Sequence, residues 1–196
     1  MAGLATAVAS IRRLRPAPDA LIITGDIADT RADSEYAHVL GASDDVDAPS
    51  YPLPGNHDDR DGLRRHFGIP GEPGTPVQYA VELGALRILM LAMHHPPLLT
   101  HVPAMDALAL AAEDQVALAD VVARHPNVTL IVAGHVHRAI SGELAGRRVL
   151  SAPSTYIGFE LDLVAEQIDD VPTPPGYVVH VLRDGQLASH VVALRG

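Results

Sequence analysis

The chain has 196 residues, of which 47% are hydrophobic and 19% are charged. This balance excludes an intrinsically disordered polymer and predicts a folded protein with a substantial core. The formal net charge is −10, from 14 Lys and Arg against 24 Asp and Glu, which argues against nucleic acid as a partner. The chain has no cysteine, so a disulfide framework and a thiol nucleophile are excluded.

The sequence carries no sign of a membrane or export segment. No run of 18 apolar residues occurs, so no membrane span is predicted. The basic residues Arg12, Arg13 and Arg15 follow the first apolar run instead of preceding it, which is the reverse of a secretory signal. We therefore expect a cytoplasmic protein that does not bind membranes.

Apolar periodicity predicts an α/β protein. Helices are expected at residues 2–14, 33–40, 59–67 and 114–124, and strands at residues 20–24, 50–53, 77–83, 86–93 and 128–133. In the last helix the residues Val116, Leu118, Val121 and Val122 form the apolar face. We expect residues 1–196 to form a single domain.

The C-terminal part has a different pattern. Residues 177–194 predict a β-hairpin that turns at Asp184-Gly185. Before it, residues 159–176 are acidic and proline-rich, which is typical of a long surface loop. This loop is open to three interpretations: a lid, an oligomer contact or a mobile surface segment.

Four short polar motifs each follow a predicted strand. In chain order they are Gly25-Asp26-Ile27-Ala28-Asp29, Gly55-Asn56-His57-Asp58, His94-His95-Pro96-Pro97 and Gly134-His135-Val136-His137. Side chains at the ends of neighbouring strands can meet at one rim of a sheet. Carboxylate and imidazole donors without thiolates suit Mn, Fe, Zn or Co. The motifs therefore predict a metal site, and hydrolytic chemistry follows more naturally than redox chemistry.

Each motif alone also has a purely structural explanation. Gly-Asp and Gly-Asn pairs are common where a strand turns into a loop. His94-His95 before two prolines is compatible with a strand end and one packed imidazole. The last motif is a stronger indication of a metal site, because an extended backbone would place His135 and His137 on the same side, where they can bind neighbouring ions. The histidines outside the motifs, His101 excepted, are expected to be surface or structural residues.

The order of the motifs and the residues in them resemble those of the calcineurin-like metallophosphoesterases. The resemblance is strongest to the bacterial branch of 3',5'-cyclic-nucleotide (cAMP) and glycerophosphodiester phosphodiesterases, and it runs from about residue 18 to the C-terminus. It implies an αββα sandwich of two mixed sheets flanked by helices. It also implies hydrolysis of a small phosphodiester with two metal ions as cofactors.

The resemblance assigns a role to each motif. Asp26 would bridge the two metals, and the other ligands would be Asn56, His94, His135 and His137. A hydroxide held between the metals would attack phosphorus, while His57 beside Asn56 would protonate the leaving alkoxide. Asp29 and Asp58 would accept hydrogen bonds from the other ring nitrogens of the ligating histidines, and His95 would also support the ligands. His101, in the loop over residues 98–106, would contact the substrate.

Two departures from the family pattern qualify this assignment. Family members begin with a strand ending in Asp-x-His, a sequence found nowhere in the 196 residues, so we expect the usual first strand to be missing. Between residues 86 and 94, we expect that about thirty residues of strand and helix are deleted relative to the family, more than loop variation explains. The deletion would fuse two strands into one over residues 86–93.

These departures leave two functional interpretations. Asp26, Asn56, His94 and His135 would hold one metal well, whereas Asp26 and His137 alone would hold the other poorly. The chain is then either a phosphodiesterase or a degenerate, non-catalytic homologue that binds metal or oligomerises. Exposed edges of an incomplete sheet would favour pairing with another chain, so we expect a homodimer.

Overall fold

A computed structural model describes residues 2–91, 93–168 and 173–194. The chain divides into two compact units, Met1–His94 and His95–Gly196. Helices and strands alternate along most of the chain, which confirms the predicted α/β class. In the described part of the chain, no helix combines the length and the apolar character that crossing a bilayer requires.

The first unit contains three helices and four strands in its described residues. They are α1 (Ala2–Ile11), β1 (Leu21–Ile23), α2 (Asp33–Asp44), β2 (Ser50–Pro52), α3 (Arg60–Phe67), β3 (Tyr79–Leu83) and β4 (Leu86–Met90). Strand β1 pairs in parallel with β2, so the loops that follow both strands leave the same edge. Strands β3 and β4 form an antiparallel hairpin. The parallel pair is what brings the first two motifs to one place.

The predicted long strand over residues 86–93 is wrong in its extent. Strand β4 ends at Met90, whose partner in the ladder is Tyr79, the first residue of β3. Residues 76–78 before Tyr79 are not in a strand, so the ladder has no partner beyond Met90. Residue 92 lies outside the described residues.

Helix α3 begins and ends where its sequence predicts. The Asp59 carboxylate accepts hydrogen bonds from the backbone N–H groups of Asp61 and Gly62, at 3.3 and 2.9 Å. This is the usual N-cap of a helix. At the other end Gly68 adopts a left-handed conformation with φ 63°, and its N–H group bonds the Arg64 carbonyl. Short-range capping therefore fixes the position of this helix.

The core of the first unit lies beneath the first motif. Tyr36, Leu63 and Val77 are fully buried and pack with Ile69 and with Ala28, a residue of the first motif. Burial of Ala28 anchors the loop after β1 to the core. A second cluster, of Leu53, Val81 and Met90, packs between the two small sheets of this unit.

The described residues of the second unit contain two helices and five strands. They are α4 (Pro103–Asp106), α5 (Ala112–Ala123), β5 (Leu130–Ala133), β6 (Ile140–Leu144), β7 (Arg147–Ser151), β8 (Gly176–Arg183) and β9 (Gln186–Ala193). Strand β7 is central in a mixed sheet, parallel to β5 and antiparallel to β6. The predicted C-terminal hairpin is confirmed as β8–β9, with positive φ at both Asp184 and Gly185 of the turn.

The second unit differs from the sequence prediction in the burial of one helix and in three elements that were not predicted. The predicted apolar face of α5 is only partly buried: Val122 is buried, but Val116 and Val121 are 63% and 44% exposed. Periodicity identifies a helix, whereas the surface that covers it depends on distant segments. Strands β6 and β7 and helix α4 were not predicted, because β6 reads as the mostly polar Ile-Ser-Gly-Glu-Leu, β7 begins with two arginines and α4 has only four residues.

The long loop over residues 159–176 is described in part. Residues 159–168 contain no helix or strand, and a single bridge joins Thr173 to Gly158. Residues 169–172 lie outside the described residues. The lid and contact roles of this loop stay predictions, as does the assignment of residues 1–196 to one domain.

Tyr36 provides a test of the core of the first unit. Its hydroxyl accepts the Asp59 N–H group at 2.7 Å, and burial raises its pKa to about 12. Replacing Tyr36 with Phe leaves that N–H group without its acceptor, and we expect a loss of about 1–3 kcal/mol in the free energy of unfolding, measured in urea. Tyr156→Phe, at a residue 72% exposed, is the control and should change it by less than about 0.5 kcal/mol. Equal effects of the two substitutions would contradict this account.

Candidate metal centre

Asp26 directly follows Gly25 in the loop after β1. Gly25 has φ 108° and Asp26 has φ 54°, so the backbone turns through the left-handed region. In this position the Asp26 carboxylate accepts the His57 N–H group on Oδ1 at 3.2 Å, and its Oδ2 lies 2.9 Å from Nε2 of His94. The structure therefore brings Asp26 and His94 together, as the motifs predict.

The hydrogen bonds of His94 fit a metal ligand. Its Nδ1 lies 2.5 Å from the Thr24 carbonyl, which can only accept, so Nδ1 carries a proton. In the neutral ring the lone pair is then on Nε2, the atom that faces Asp26. Histidines that bind metals commonly donate their other N–H group to a carbonyl in this way. The carboxylate and the imidazole thus offer one oxygen and one nitrogen donor on the same side.

The electrostatics of this pair favour a bound cation. Burial of Asp26 opposes its ionisation, but the hydrogen bond and charge of His94 outweigh it and lower the pKa of Asp26 to about 2. Burial of His94 disfavours its cationic form, yet the bonds to Asp26 and Thr24 raise the pKa of the imidazole. A proton between the two side chains is stabilised, and a metal ion could take its place.

Asp58 joins the first two motifs through their backbones. Its carboxylate is buried and accepts the N–H groups of Ile27, Ala28 and Gly55, at 3.1, 2.9 and 2.8 Å. We predicted that Asp58 would accept from a ring nitrogen of a ligand. The structure gives it a different role, because three backbone donors that converge on one carboxylate leave it holding the two loops together.

The close approach of the two loops requires glycine at position 55. A Cβ on Gly55 would overlap the carboxylate oxygen and the backbone nitrogen of Asp26. On the other loop, a Cβ on Gly25 would lie 2.8 Å from the Gly55 nitrogen. The glycines of the first two motifs therefore make room for Asp26 and do more than permit turns.

His57 and Asn56 lie on the exposed side of the second motif. The His57 side chain is 49% exposed, and its Nδ1 is 3.3 Å from Oδ1 of Asp29. Asp29 was predicted to support the ligands, and its partner in the structure is the predicted acid. Asn56 is exposed. The roles of Asn56 and His57 stay predictions.

The fourth motif, in the second unit, is not extended. His135 and His137 have φ of 73° and 51°, and Val136 donates its N–H group to the Gly134 carbonyl. The premise that an extended backbone places the two imidazoles on one side is wrong. Val136 is fully buried against Val102 and Met105, and its burial determines how the turn after β5 is oriented.

Aromatic contacts position the histidines of the second unit. The rings of His95 and His135 have centroids 4.0 Å apart. The ring of His137 stacks on Phe159 at 4.7 Å with an interplanar angle of 7°. The Phe159 carbonyl also accepts a 2.5 Å hydrogen bond from Nη1 of Arg138. Sequence reasoning missed Phe159, because nothing local marks a single aromatic residue in a loop.

His101 lies on the exposed surface of the second unit. Its N–H group bonds the Asp106 carboxylate, which also accepts the N–H and hydroxyl groups of Thr100. Asp106 thus orders the loop over residues 98–106. The imidazole of His101 is exposed, and its contact with substrate stays a prediction.

Backbone strain is concentrated in the predicted site residues. Among the described residues, seven that are not glycine have a positive φ, and four of them are Asp26, His101, His135 and His137. Such conformations cost free energy and persist where surrounding contacts enforce them, most often at functional sites. The strain supports the functional interpretation of the motifs over the structural one.

Glu35 is a further organising residue that the sequence did not reveal. Its carboxylate accepts the N–H groups of Thr30 and Ala32 at 3.0 Å each and the Thr30 hydroxyl at 2.9 Å. Glu35 occupies the third position of α2, where a glutamate usually belongs to a capping box. Ala32 in place of Ser or Thr at the cap hides that signature.

Sequence comparison identifies the family. A family model described as calcineurin-like phosphoesterase matches residues 2–139. The chain belongs to the calcineurin-like phosphoesterases. The family predicted from the four motifs is therefore confirmed.

Curated relatives of the chain are phosphodiesterases by name. It is 27% identical to the probable glycerophosphodiester phosphodiesterase GpdQ of Arcobacter nitrofigilis, over 92% of this chain and 80% of that protein. It is 32% identical to a probable cyclic nucleotide phosphodiesterase of Rhodococcus erythropolis, over 74% of this chain and 60% of that protein. It is 24% identical to the 3',5'-cyclic adenosine monophosphate phosphodiesterase CpdA of Escherichia coli K12, over 88% of this chain and 74% of that protein. The match to the Arcobacter protein spans 218 positions, more than the 196 residues of this chain, so that relative has residues that this chain lacks.

Solved structures support the fold assignment. A conserved uncharacterized protein of Streptococcus pneumoniae TIGR4, described as a predicted phosphoesterase, superposes with a TM-score of 0.51 at 16% identity, over 97% of this chain and 82% of that one. A single mutant of Vps29 from Entamoeba histolytica superposes with a TM-score of 0.50 at 13% identity, over 96% of this chain and 88% of that one. These likenesses confirm the fold of the calcineurin-like phosphoesterases.

The clamp formed by Asp58 can be tested by an isosteric change. Asp58→Asn keeps the shape but replaces one acceptor oxygen with a donor that faces backbone N–H groups, so we expect about 1.5–3 kcal/mol lower stability in urea. The matched control is Asp47→Asn, at an exposed aspartate of the same unit, which should change stability by less than about 0.5 kcal/mol. Stability unchanged by Asp58→Asn would show that the clamp contributes nothing.

The space requirement at Gly55 gives a second test. Gly55→Ala forces the two loops apart, and we expect weaker Mn binding in calorimetric titration together with about 1–3 kcal/mol lower stability. Gly41→Ala is the control, since a Cβ built there has no atom within 4 Å among the described residues, its chain neighbours and the backbone of its own helix apart. Gly41 is inside α2, so alanine should stabilise by up to about 1 kcal/mol. If Gly55→Ala bound Mn as tightly as wild type, the close approach of the two loops would not be needed for metal binding.

Proposed function

We propose that the chain is a metal-dependent phosphodiesterase that hydrolyses small phosphate diesters of the cyclic-nucleotide or glycerophosphodiester type. Family membership supports a phosphoesterase, and the names of the curated relatives support diester substrates. One structural observation carries the proposal: His94, fixed by the Thr24 carbonyl, presents Nε2 to the carboxylate of Asp26.

The proposed ligands come from all four motifs. They are Asp26, Asn56, His94, His135 and His137. The first unit supports the proposal through the Asp26–His94 contact, and the second through the enforced left-handed backbones of its two histidines. Mn, Fe, Zn and Co all suit this donor set. When bound, such ions lower the pKa of water and neutralise charge on phosphoryl oxygens.

Two contacts of His57 support its proposed role as proton donor. Its backbone N–H group bonds Oδ1 of Asp26, which supports a place for His57 next to the proposed centre. Asp29 holds Nδ1 at 3.3 Å, which turns Nε2 toward the opposite side of the ring. A proton on Nε2 can pass to the departing alkoxide of a diester, which completes cleavage of the P–O bond.

A metal-binding protein without turnover is the second candidate. The observation that favours it is that Asp-x-His, which supplies ligands in the family pattern, does not occur in the 196 residues. Pairing with a second copy of the chain and a cytoplasmic location are also proposals, resting on the sequence alone.

Hydrolysis of bis(p-nitrophenyl) phosphate with added Mn tests the proposal. We expect wild-type protein to turn over the diester and His57→Ala to lower kcat by a factor of about 10²–10⁴, because the leaving group loses its acid. Mn affinity should be unchanged in this variant. His94→Ala should instead lower Mn affinity, since it removes a ligand.

The control for these variants is His125→Ala, at an exposed histidine outside the motifs, which should keep wild-type turnover. Wild type and His57→Ala that bind Mn but are equally inert would favour the non-catalytic candidate. If both His94→Ala and His135→Ala bound Mn like wild type, the proposed centre would be contradicted.

A further inference from the structure

Arg31 is not part of the first or the second motif, but its side chain contacts the backbone of the second. Its Nε donates to the His57 carbonyl at 3.1 Å, and its Nη2 lies 3.5 Å from the Asn56 carbonyl. One edge of the guanidinium therefore rests on the backbone of the predicted acid and of a predicted ligand. The side chain as a whole is exposed.

The backbone around Arg31 is held in a strained conformation. Arg31 has φ 64°, which is unfavourable for any residue with a Cβ. The Glu35 carboxylate enforces the turn by accepting the N–H groups of Thr30 and Ala32 on either side of Arg31. A glycine would suit this position better, so the guanidinium is what the arginine adds.

The charge of Arg31 is not neutralised by the protein. Within residues 2–91, 93–168 and 173–194, no carboxylate lies within 4.0 Å of its guanidinium nitrogens, and its Nη1 has no acceptor. The chain has a formal net charge of −10, so an unpaired cation beside the motifs stands out. Guanidinium groups bind phosphate oxygens through parallel N–H donors, and Nη1 with the second Nη2 hydrogen offers such a pair.

We propose that Arg31 binds a non-bridging phosphoryl oxygen of the substrate, an inference that rests on the proposed phosphodiesterase function. The edge of the guanidinium that bonds the Asn56 and His57 carbonyls fixes its orientation. The other edge faces solvent and receives the anion. Arg31 thus acts in substrate binding, while His57 acts on the leaving group.

The competing explanation is that Arg31 only braces the second motif. The two roles respond differently to Arg31→Gly. Glycine removes the guanidinium but relieves the strain at φ 64°, so a binding role predicts lost anion affinity without lost stability. A bracing role predicts a lower melting temperature and weaker Mn binding.

The test uses the full chain loaded with Mn and two readouts. The first is calorimetric titration with inorganic phosphate, and the second is hydrolysis of bis(p-nitrophenyl) phosphate. For Arg31→Gly we expect phosphate affinity to fall and KM to rise roughly ten- to hundred-fold, with kcat, Mn affinity and melting temperature much less affected. Arg31→Lys should recover part of the affinity, because it keeps the charge without the fork. Arg13→Ala, which removes an exposed arginine and the same charge, should bind phosphate as wild type.

The outcomes separate this inference from the proposed function. Phosphate binding that depends on Arg31 in a chain without turnover would sustain the inference and refute the phosphodiesterase. Turnover with wild-type KM and phosphate affinity in Arg31→Gly would overturn the inference alone. A lower melting temperature with lost Mn binding in Arg31→Gly would assign Arg31 the bracing role. Absence of phosphate binding to wild type would also overturn the inference.

Discussion

The first two motifs depend on the hydrogen bonds that the carboxylate of Asp58 accepts. It lies buried between the loop after β1 and the loop after β2, and it accepts backbone N–H groups from both. These N–H groups belong to turns that leave the strands, where no ladder partner exists for them. By satisfying them together, one side chain both replaces lost hydrogen bonds and fixes the distance between the loops. At this separation of the loops, the His57 N–H group can bond the carboxylate of Asp26.

The proposed site combines this rigid backbone with side chains that favour positive charge. Asp26 stays ionised because His94 and the His57 N–H group oppose the effect of its burial. His94 is aligned by Thr24, and His57 by Asp29. Asp26, His94 and His57 thus each have a contact that sets their orientation. Such support is what distinguishes a preorganised metal site from a chance cluster of polar residues.

Local rules predicted the elements that depend on local chemistry. Helix α3 has its own N-cap and C-terminal glycine, and the β8–β9 hairpin has its own turn residues, so both were placed correctly within two residues. The end of β4 was not, because it depends on where the partner strand β3 begins. The apolar face of α5 is only partly buried for a similar reason. Whether Val116 is covered is decided by residues far away in the sequence.

The sequence by itself determined which donor groups the chain offers, in what order, and after which strands. It thereby determined the family, since the motifs consist of residue types that the chemistry requires. Tertiary structure decided how those groups are presented. The left-handed backbones of Asp26, His135 and His137, the role of Asp58 as a clamp and the bonds of Arg31 all arise from contacts over long sequence separations. No local pattern encodes such contacts, because a strained turn is stable only where buried neighbours and distant acceptors enforce it.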